Sequence, residues 1–133
     1  MNPLASVGAG ILGFVILDGL WLGVVMASFY QRQFQGIGRF GPDGSFAPIW
    51  AAALPVYVLL GAGVALFAVP RATSLSSAGL WGALFGLVVY GVYDLTNYST
   101  LAGWPLIVTV ADMLWGTVAC AAVTTALFAF SSR

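Results

Sequence analysis

The sequence contains no histidine, no lysine and no glutamate, and its one cysteine is Cys120. Without histidine, the Ser-His-Asp and Cys-His catalytic arrangements cannot be assembled. The same counts exclude a zinc site built from histidine and cysteine ligands, and a single cysteine cannot form a disulfide within the chain. No cofactor-binding motif is present, so we expect neither a metal nor a cofactor. Whether the protein is an enzyme stays open at this stage.

Charged residues are scarce as well, since they make up 6% of the chain, whereas hydrophobic residues make up 61%. A soluble domain carries about 25% charged residues, so this composition cannot cover a water-facing surface. The expected partner of the chain is therefore the lipid bilayer. The formal net charge is zero, and the absence of a basic stripe excludes nucleic acid as a partner.

Four apolar segments are long enough to cross a membrane, because a span needs about 20 residues. They predict an all-α integral membrane protein in which residues 1–133 form a single four-transmembrane-helix bundle. An even number of spans places both termini on the same side. The opposite side, called here the loop side, carries the connections after the first and third helices. The four helices are expected at about 4–30, 48–69, 78–98 and 105–130.

The loop side also carries aromatic and basic residues typical of a membrane interface. We select four interface candidates: Tyr30, Arg32, Arg39 and Trp104. Two of the four arginines lie on each side of the predicted bundle, so the excess of basic residues that marks cytoplasmic loops does not settle the orientation.

Two pairs of glycines spaced four residues apart predict close contacts between helices. They are Gly19 with Gly23 on the first helix and Gly82 with Gly86 on the third. Small residues at this spacing let two backbones approach each other. Because such pairs are common in membrane bundles, we interpret both as packing sites.

Three of the four acidic residues, Asp18, Asp94 and Asp112, fall inside predicted membrane helices. A charged aspartate at the centre of such a helix costs about 2.5–3.5 kcal/mol, so intramembrane acids usually have a function. Their distances from the loop-side helix ends, at about 1.5 Å per residue, are about 18, 6 and 10 Å. All three therefore lie between the loop-side interface and the bilayer centre. The short turn after the third helix predicts that Asp94 and Asp112 are close neighbours.

Polar and aromatic residues at helical spacing extend the acids into a candidate polar site. Its members are Asp18, Trp21, Tyr57, Tyr90, Asp94, Asn97, Tyr98, Thr109, Asp112 and Trp115. Two of the acids begin a D-x-L-W pattern, which puts an indole one turn from a carboxylate on two antiparallel helices. No arginine lies within the spans to neutralise the acids. Three states stay open: protonated carboxyls bonded to each other, a shared bound cation, or a site hydrated from the loop side.

Several stretches of the sequence resemble a known family. They are LDGLWLG and FYQRQ in the first helix, YDLTNYSTLAGWPL around the last turn, and VADMLWGT in the fourth helix. Together they resemble the small bacterial membrane proteins grouped as domain of unknown function 2177, and the resemblance covers essentially the whole chain. It implies a four-helix protein of the bacterial inner membrane and no established activity.

Three functional hypotheses follow. In the first, the half-buried acids and aromatics bind a small cation, an amine or a lipid head group. One version of this hypothesis couples binding to proton movement. In the second, the chain is a structural accessory subunit or assembly factor of a larger membrane complex. In the third, an aspartate serves as the general acid or base of a membrane-embedded lipid-modifying enzyme. A homo-oligomer is compatible with all three, and so is interhelical packing as the only role of any one acid.

Overall fold

The computed structural model describes residues 1–132, and within them the fold is entirely helical. Short π-helical and 3-10 segments extend two of the helices, so that four stretches with mean hydropathies from 1.6 to 2.2 are long enough to cross a membrane. This confirms the prediction of an all-α membrane bundle. The helices are α1 (Pro3–Leu20, extended to Val25), α2 (Ala27–Gln33), α3 (Trp50–Gly63, extended to Arg71), α4 (Leu75–Thr100) and α5 (Leu106–Ser131).

Local sequence explains where two of the helices begin. The Oδ1 atom of Asn2 accepts a hydrogen bond at 2.7 Å from the backbone of the first turn of α1, and Pro3 occupies a position that needs no backbone N–H. At α4, Ser74 and Ser77 each bond the backbone of the other, which is a capping box. This cap starts α4 at Leu75, earlier than the expected residue 78.

The first expected helix, over 4–30, is interrupted in the structure at Met26. Its α-helical part ends at Leu20 and continues as a π-helical turn, after which Met26 has φ −116° and ψ 14°. A π-turn is a local departure from α-helical geometry that is frequent at functional sites. The short helix α2 follows the interruption and carries Tyr30, which is only 2% exposed. A residue expected at the membrane interface therefore lies inside the protein.

The second span divides between two sets of neighbours. Its first part, α3, packs against α1, whereas the extension over Val64–Arg71 packs against α4 and α5 as well as α1. The contact between α1 and α3 is close, since a Cβ on Gly10 would lie 3.0 Å from the Cα of Gly61. The buried core lies toward the end of the bundle away from the loops. It comprises Phe14, Leu60, Val64, Ala68, Ala119, Cys120, Val123 and Leu127.

The helices α4 and α5 form a tight antiparallel pair. A Cβ added to Gly86 would collide with the carbonyl oxygen of Gly116, and one added to Gly82 would collide with that of Cys120. This glycine pair makes the close contact that its spacing predicts. The pair on the first helix does not, because Gly19 and Gly23 have no atom within 4 Å of an added Cβ.

Candidate functional site

The loop-side half of the bundle encloses a large cavity of about 1080 Å³. Its lining comes from all four spans, from α2 and from the turn between α4 and α5. The packed core fills the other half of the bundle, so the cavity is confined to the loop side. This is the side on which the sequence predicted the three intramembrane acids. Aromatic rings dominate its walls: Trp21, Tyr30, Phe34, Phe46, Trp50, Tyr57, Tyr90, Tyr93, Trp104 and Trp115.

Two stacked indoles form one wall of the cavity. The rings of Trp21 and Trp115 lie parallel, with centroids 4.4 Å apart and an interplanar angle of 3°. The indole N–H of Trp115 donates a hydrogen bond to Oδ1 of Asp18 at 2.8 Å. The two D-x-L-W segments therefore meet face to face, and the indole of one segment bonds the carboxylate of the other. Tyr57 interacts with the same carboxyl group of Asp18 from α3.

The other indole–carboxylate pair, Trp21 and Asp112, is bridged by the hydroxyl group of Tyr30. The indole N–H of Trp21 donates to the hydroxyl oxygen of Tyr30 at 3.2 Å, and that hydroxyl donates to Oδ1 of Asp112. The α2 helix thus places Tyr30 between the indole of one D-x-L-W segment and the carboxylate of the other. Because Asp18 and Asp112 both line the cavity, two carboxylates face the same space.

Asp94 lies behind Asp112 and does not line the cavity. Its side chain is 0% exposed, and within residues 1–132 neither of its carboxylate oxygens has a hydrogen-bond donor. The group that it faces is the carboxyl of Asp112 on the neighbouring helix. The structure therefore places Asp94 and Asp112 side by side, as the short turn between α4 and α5 predicts.

The wall nearest the loops is built around Trp104. Its ring lies edge-on to Tyr93 at a centroid distance of 5.8 Å and is tilted against Phe34 at 5.2 Å. Its indole N–H donates to the hydroxyl of Thr109 at 3.1 Å, and Tyr93 in turn interacts with Asn97. Thr109 and Asn97 thus hold the residues that line the cavity, while their own side chains do not line it.

A comparison with known protein families identifies the family of this chain. The family described as "Predicted membrane protein (DUF2177)" matches residues 4–129. The chain belongs to this family. No curated protein and no solved structure matches the chain. The family description states a membrane location and no activity, so the cavity of this DUF2177 protein is the available guide to its chemistry.

The structure brings together most, but not all, of the residues singled out from the sequence. Those that line the cavity are Asp18, Trp21, Tyr57, Tyr90, Asp112 and Trp115, together with the interface candidates Tyr30 and Trp104. Tyr98 is 46% exposed and does not line the cavity, and Arg32 and Arg39 are exposed as well. The aromatic lining missed from the sequence includes Tyr93, whose position one turn after Tyr90 was the available signal.

Within residues 1–132, no cationic side chain balances the two cavity carboxylates. The donors to them come from Trp115 and Tyr30, which are uncharged. Within residues 1–132, no three acidic, histidine or cysteine side chains are grouped so as to hold a metal ion. The cavity therefore offers carboxyl groups and aromatic faces, a combination that suits an organic cation.

The fourth acid, Asp43, belongs to the connection between α2 and α3, outside the membrane spans. The hydroxyl and the backbone N–H of Ser45 donate to its carboxylate at 2.7 and 3.1 Å, and these bonds hold the pKa of Asp43 below its usual range. Asp43 is exposed and does not line the cavity. It is therefore a matched aspartate control for substitutions within the cavity.

Proposed function

We propose that this protein binds a cationic amphiphile, an amine or quaternary ammonium group joined to an apolar body, in the loop-side cavity. Amine-bearing lipid head groups belong to this class. The observation that carries the proposal is the pair of carboxylates, Asp18 and Asp112, facing an aromatic cavity that no cationic side chain of residues 1–132 lines. A ligand cation would supply the charge that the chain itself does not bring to the site.

The recognition of the head group rests on two interactions. Carboxylates attract an ammonium group strongly where water is scarce, because the effective dielectric constant is low. Aromatic faces add attraction through their π-electrons, which is the means by which proteins recognise quaternary ammonium groups. The stacked indoles of Trp21 and Trp115 lie beside both carboxylates, so the same region offers both interactions.

The recognition of the apolar body rests on cavity size and position. Ligand pockets for drug-sized molecules measure about 300–1000 Å³, and this cavity measures about 1080 Å³. Its lining reaches the lipid-facing surface at Trp50, Leu54 and Tyr93, which are 62%, 54% and 57% exposed. These residues belong to α3 and α4, so we propose that the ligand passes between those helices from the surrounding lipid.

The test uses the full-length protein in lipid nanodiscs and octyltrimethylammonium as the probe. This ion keeps its charge at every pH, and nonanol serves as an uncharged analogue of similar length. We expect saturable binding of the cation and none of the alcohol, measured by calorimetry and by tryptophan fluorescence. Asp18→Asn and Asp112→Asn should each weaken binding about tenfold or more, which corresponds to about 1.4 kcal/mol.

The control variant is Asp43→Asn, which removes an aspartate outside the cavity and should leave the affinity unchanged. Equal affinity of wild type, Asp18→Asn and Asp112→Asn for the cation would refute the proposal. Isolation of the protein from native membrane with a stoichiometric larger partner covering the cavity mouth would instead favour an accessory subunit.

We also propose the bacterial inner membrane as the location, on the strength of the family resemblance and the four apolar spans.

A further inference from the structure

Asp94 is the acid that the proposed cation site does not use. It is fully buried, and as a carboxylate it would have no hydrogen-bond donor on either oxygen within residues 1–132. An ionised carboxylate without a partner is among the most costly groups to bury in a protein. Either a cation or a proton must compensate this charge. Asp94 does not line the cavity, whereas its neighbour Asp112 does.

The titratable groups that face Asp94 come from three helices. Asp112 on α5 is in direct contact with it, and Tyr30 on α2 and Tyr93 on α4 interact with it at longer range. None of the three carries a positive charge. Two carboxylates in contact away from water cannot both be ionised, so a proton is the remaining way to satisfy this pair.

The two carboxyl groups differ in their surroundings. Asp112 already accepts a hydrogen bond from the Tyr30 hydroxyl, and it lines the cavity, where a cation can approach. Within the described residues, Asp94 accepts no such bond, and it does not line the cavity. The charge is therefore better placed on Asp112, and the proton on Asp94, whose O–H can then donate to Asp112.

We infer that Asp94 is a positioning residue that keeps its proton and donates a hydrogen bond to Asp112, which it thereby fixes as the ionised, cation-binding carboxylate. This inference rests on the proposed function for the identity of the ligand. Asp112 then accepts two hydrogen bonds, one from Tyr30 and one from Asp94. Because Asp112 lines the cavity, the lone pairs that these two bonds do not use are left for the cation.

Three substitutions separate this role from the alternatives. In Asp94→Asn the amide N–H₂ replaces the carboxyl O–H as the donor, so the affinity for octyltrimethylammonium should stay within about twofold of wild type. In Asp94→Leu the donor is lost, and we expect binding about tenfold weaker. Asp112→Asn should be as weak as Asp94→Leu or weaker. Thr124→Val changes another fully buried polar residue that has no hydrogen-bond partner among residues 1–132. It controls for the loss of a buried polar group and should bind normally.

Infrared spectroscopy gives a readout that requires neither a ligand nor a stable leucine variant. Wild type should show the band of a protonated, hydrogen-bonded carboxyl group from about pH 6 to about pH 8, where an ordinary aspartate is ionised. Asp94→Asn should lack that band, and Asp43→Asn should retain it.

Three results would overturn the inference. The first is an Asp94→Asn variant that binds the cation as weakly as Asp112→Asn. The second is a wild-type protein without the protonated band. The third is the release of about one proton for each cation bound, which Asp94→Asn abolishes, because Asp94 would then exchange its proton rather than keep it. If wild type binds no cation at all, the proposed function fails, and the infrared experiment still decides the protonation of Asp94.

Discussion

The indole N–H of Trp115 on α5 donates to the carboxylate of Asp18 on α1 at 2.8 Å, and this bond joins the first and last spans of the bundle. It lies beside the parallel stack of Trp115 on Trp21. The two spans are thus linked by one polar and one aromatic contact at the cavity wall. Tyr57 also interacts with the carboxyl group of Asp18, so loss of this indole would leave that group dependent on Tyr57.

The first prediction concerns that bond. Trp115→Phe retains an aromatic ring for the stack but removes the indole N–H, so the free energy of unfolding should fall by about 1.5–3 kcal/mol, the range for a hydrogen bond to a charged group. Trp21→Phe removes a bond to a neutral hydroxyl and should cost less, about 0.5–1.5 kcal/mol. Reversible unfolding in mixed micelles, followed by circular dichroism, measures both values. The reverse order of the two losses would contradict the assigned bonds.

The second prediction concerns Tyr30. Tyr30→Phe removes the hydroxyl that donates to Asp112 and accepts from Trp21. We expect a loss of stability of about 1–3 kcal/mol, because buried partners are left unsatisfied. Tyr98→Phe is the matched control, since Tyr98 is 46% exposed and does not line the cavity. Equal melting temperatures of the two variants would show that the Tyr30 hydroxyl does not contribute to the stability of the fold.

The third prediction uses the contrast between the glycine pairs. Gly86→Ala places a methyl group against the Gly116 carbonyl and should separate α4 from α5, with a cost of several kcal/mol. Gly19→Leu places a larger group in open space within the cavity, so the fold should persist while binding of octyltrimethylammonium is blocked. Thermal unfolding and cation titration together distinguish these outcomes. A Gly19→Leu variant with wild-type affinity would show that the ligand does not occupy this part of the cavity.

The fourth prediction concerns topology. Reporter domains fused after Arg39 and after Arg71 should lie on opposite sides of the membrane, because one span separates them. Protease protection in oriented vesicles reads the two positions independently. Finding both reporters on one side would rule out the span Trp50–Arg71.

The sequence was sufficient for the architecture because long apolar runs have few stable alternatives in a bilayer. It was also sufficient for the contact between Asp94 and Asp112, since a short turn leaves adjacent helices little freedom. It did not predict that Asp94 lies behind Asp112 rather than beside it in the cavity. Which side of a helix faces a neighbour depends on packing, and the depths of the three acids along their helices carry no information about it.

Other features escaped prediction for the same physical reason. The interruption at Met26 follows a π-helical turn for which no proline or cap stands in the sequence, so Tyr30 seemed to belong to the interface. The two glycine pairs have identical spacing, yet only Gly82 and Gly86 meet another backbone. Spacing shows where a close approach is permitted, and the positions of the other helices decide whether one occurs.

The division of the bundle into a packed half and a hollow half makes the protein unequal toward the two leaflets of the bilayer. The packed core occupies one half of the bundle, while the cavity and its exposed lining residues Trp50, Leu54 and Tyr93 lie in the other. A molecule drawn from the membrane would therefore come from a single leaflet, and the direction of insertion alone would choose it. An inverted copy of the same chain would sample the opposite lipid population without any change in its binding residues.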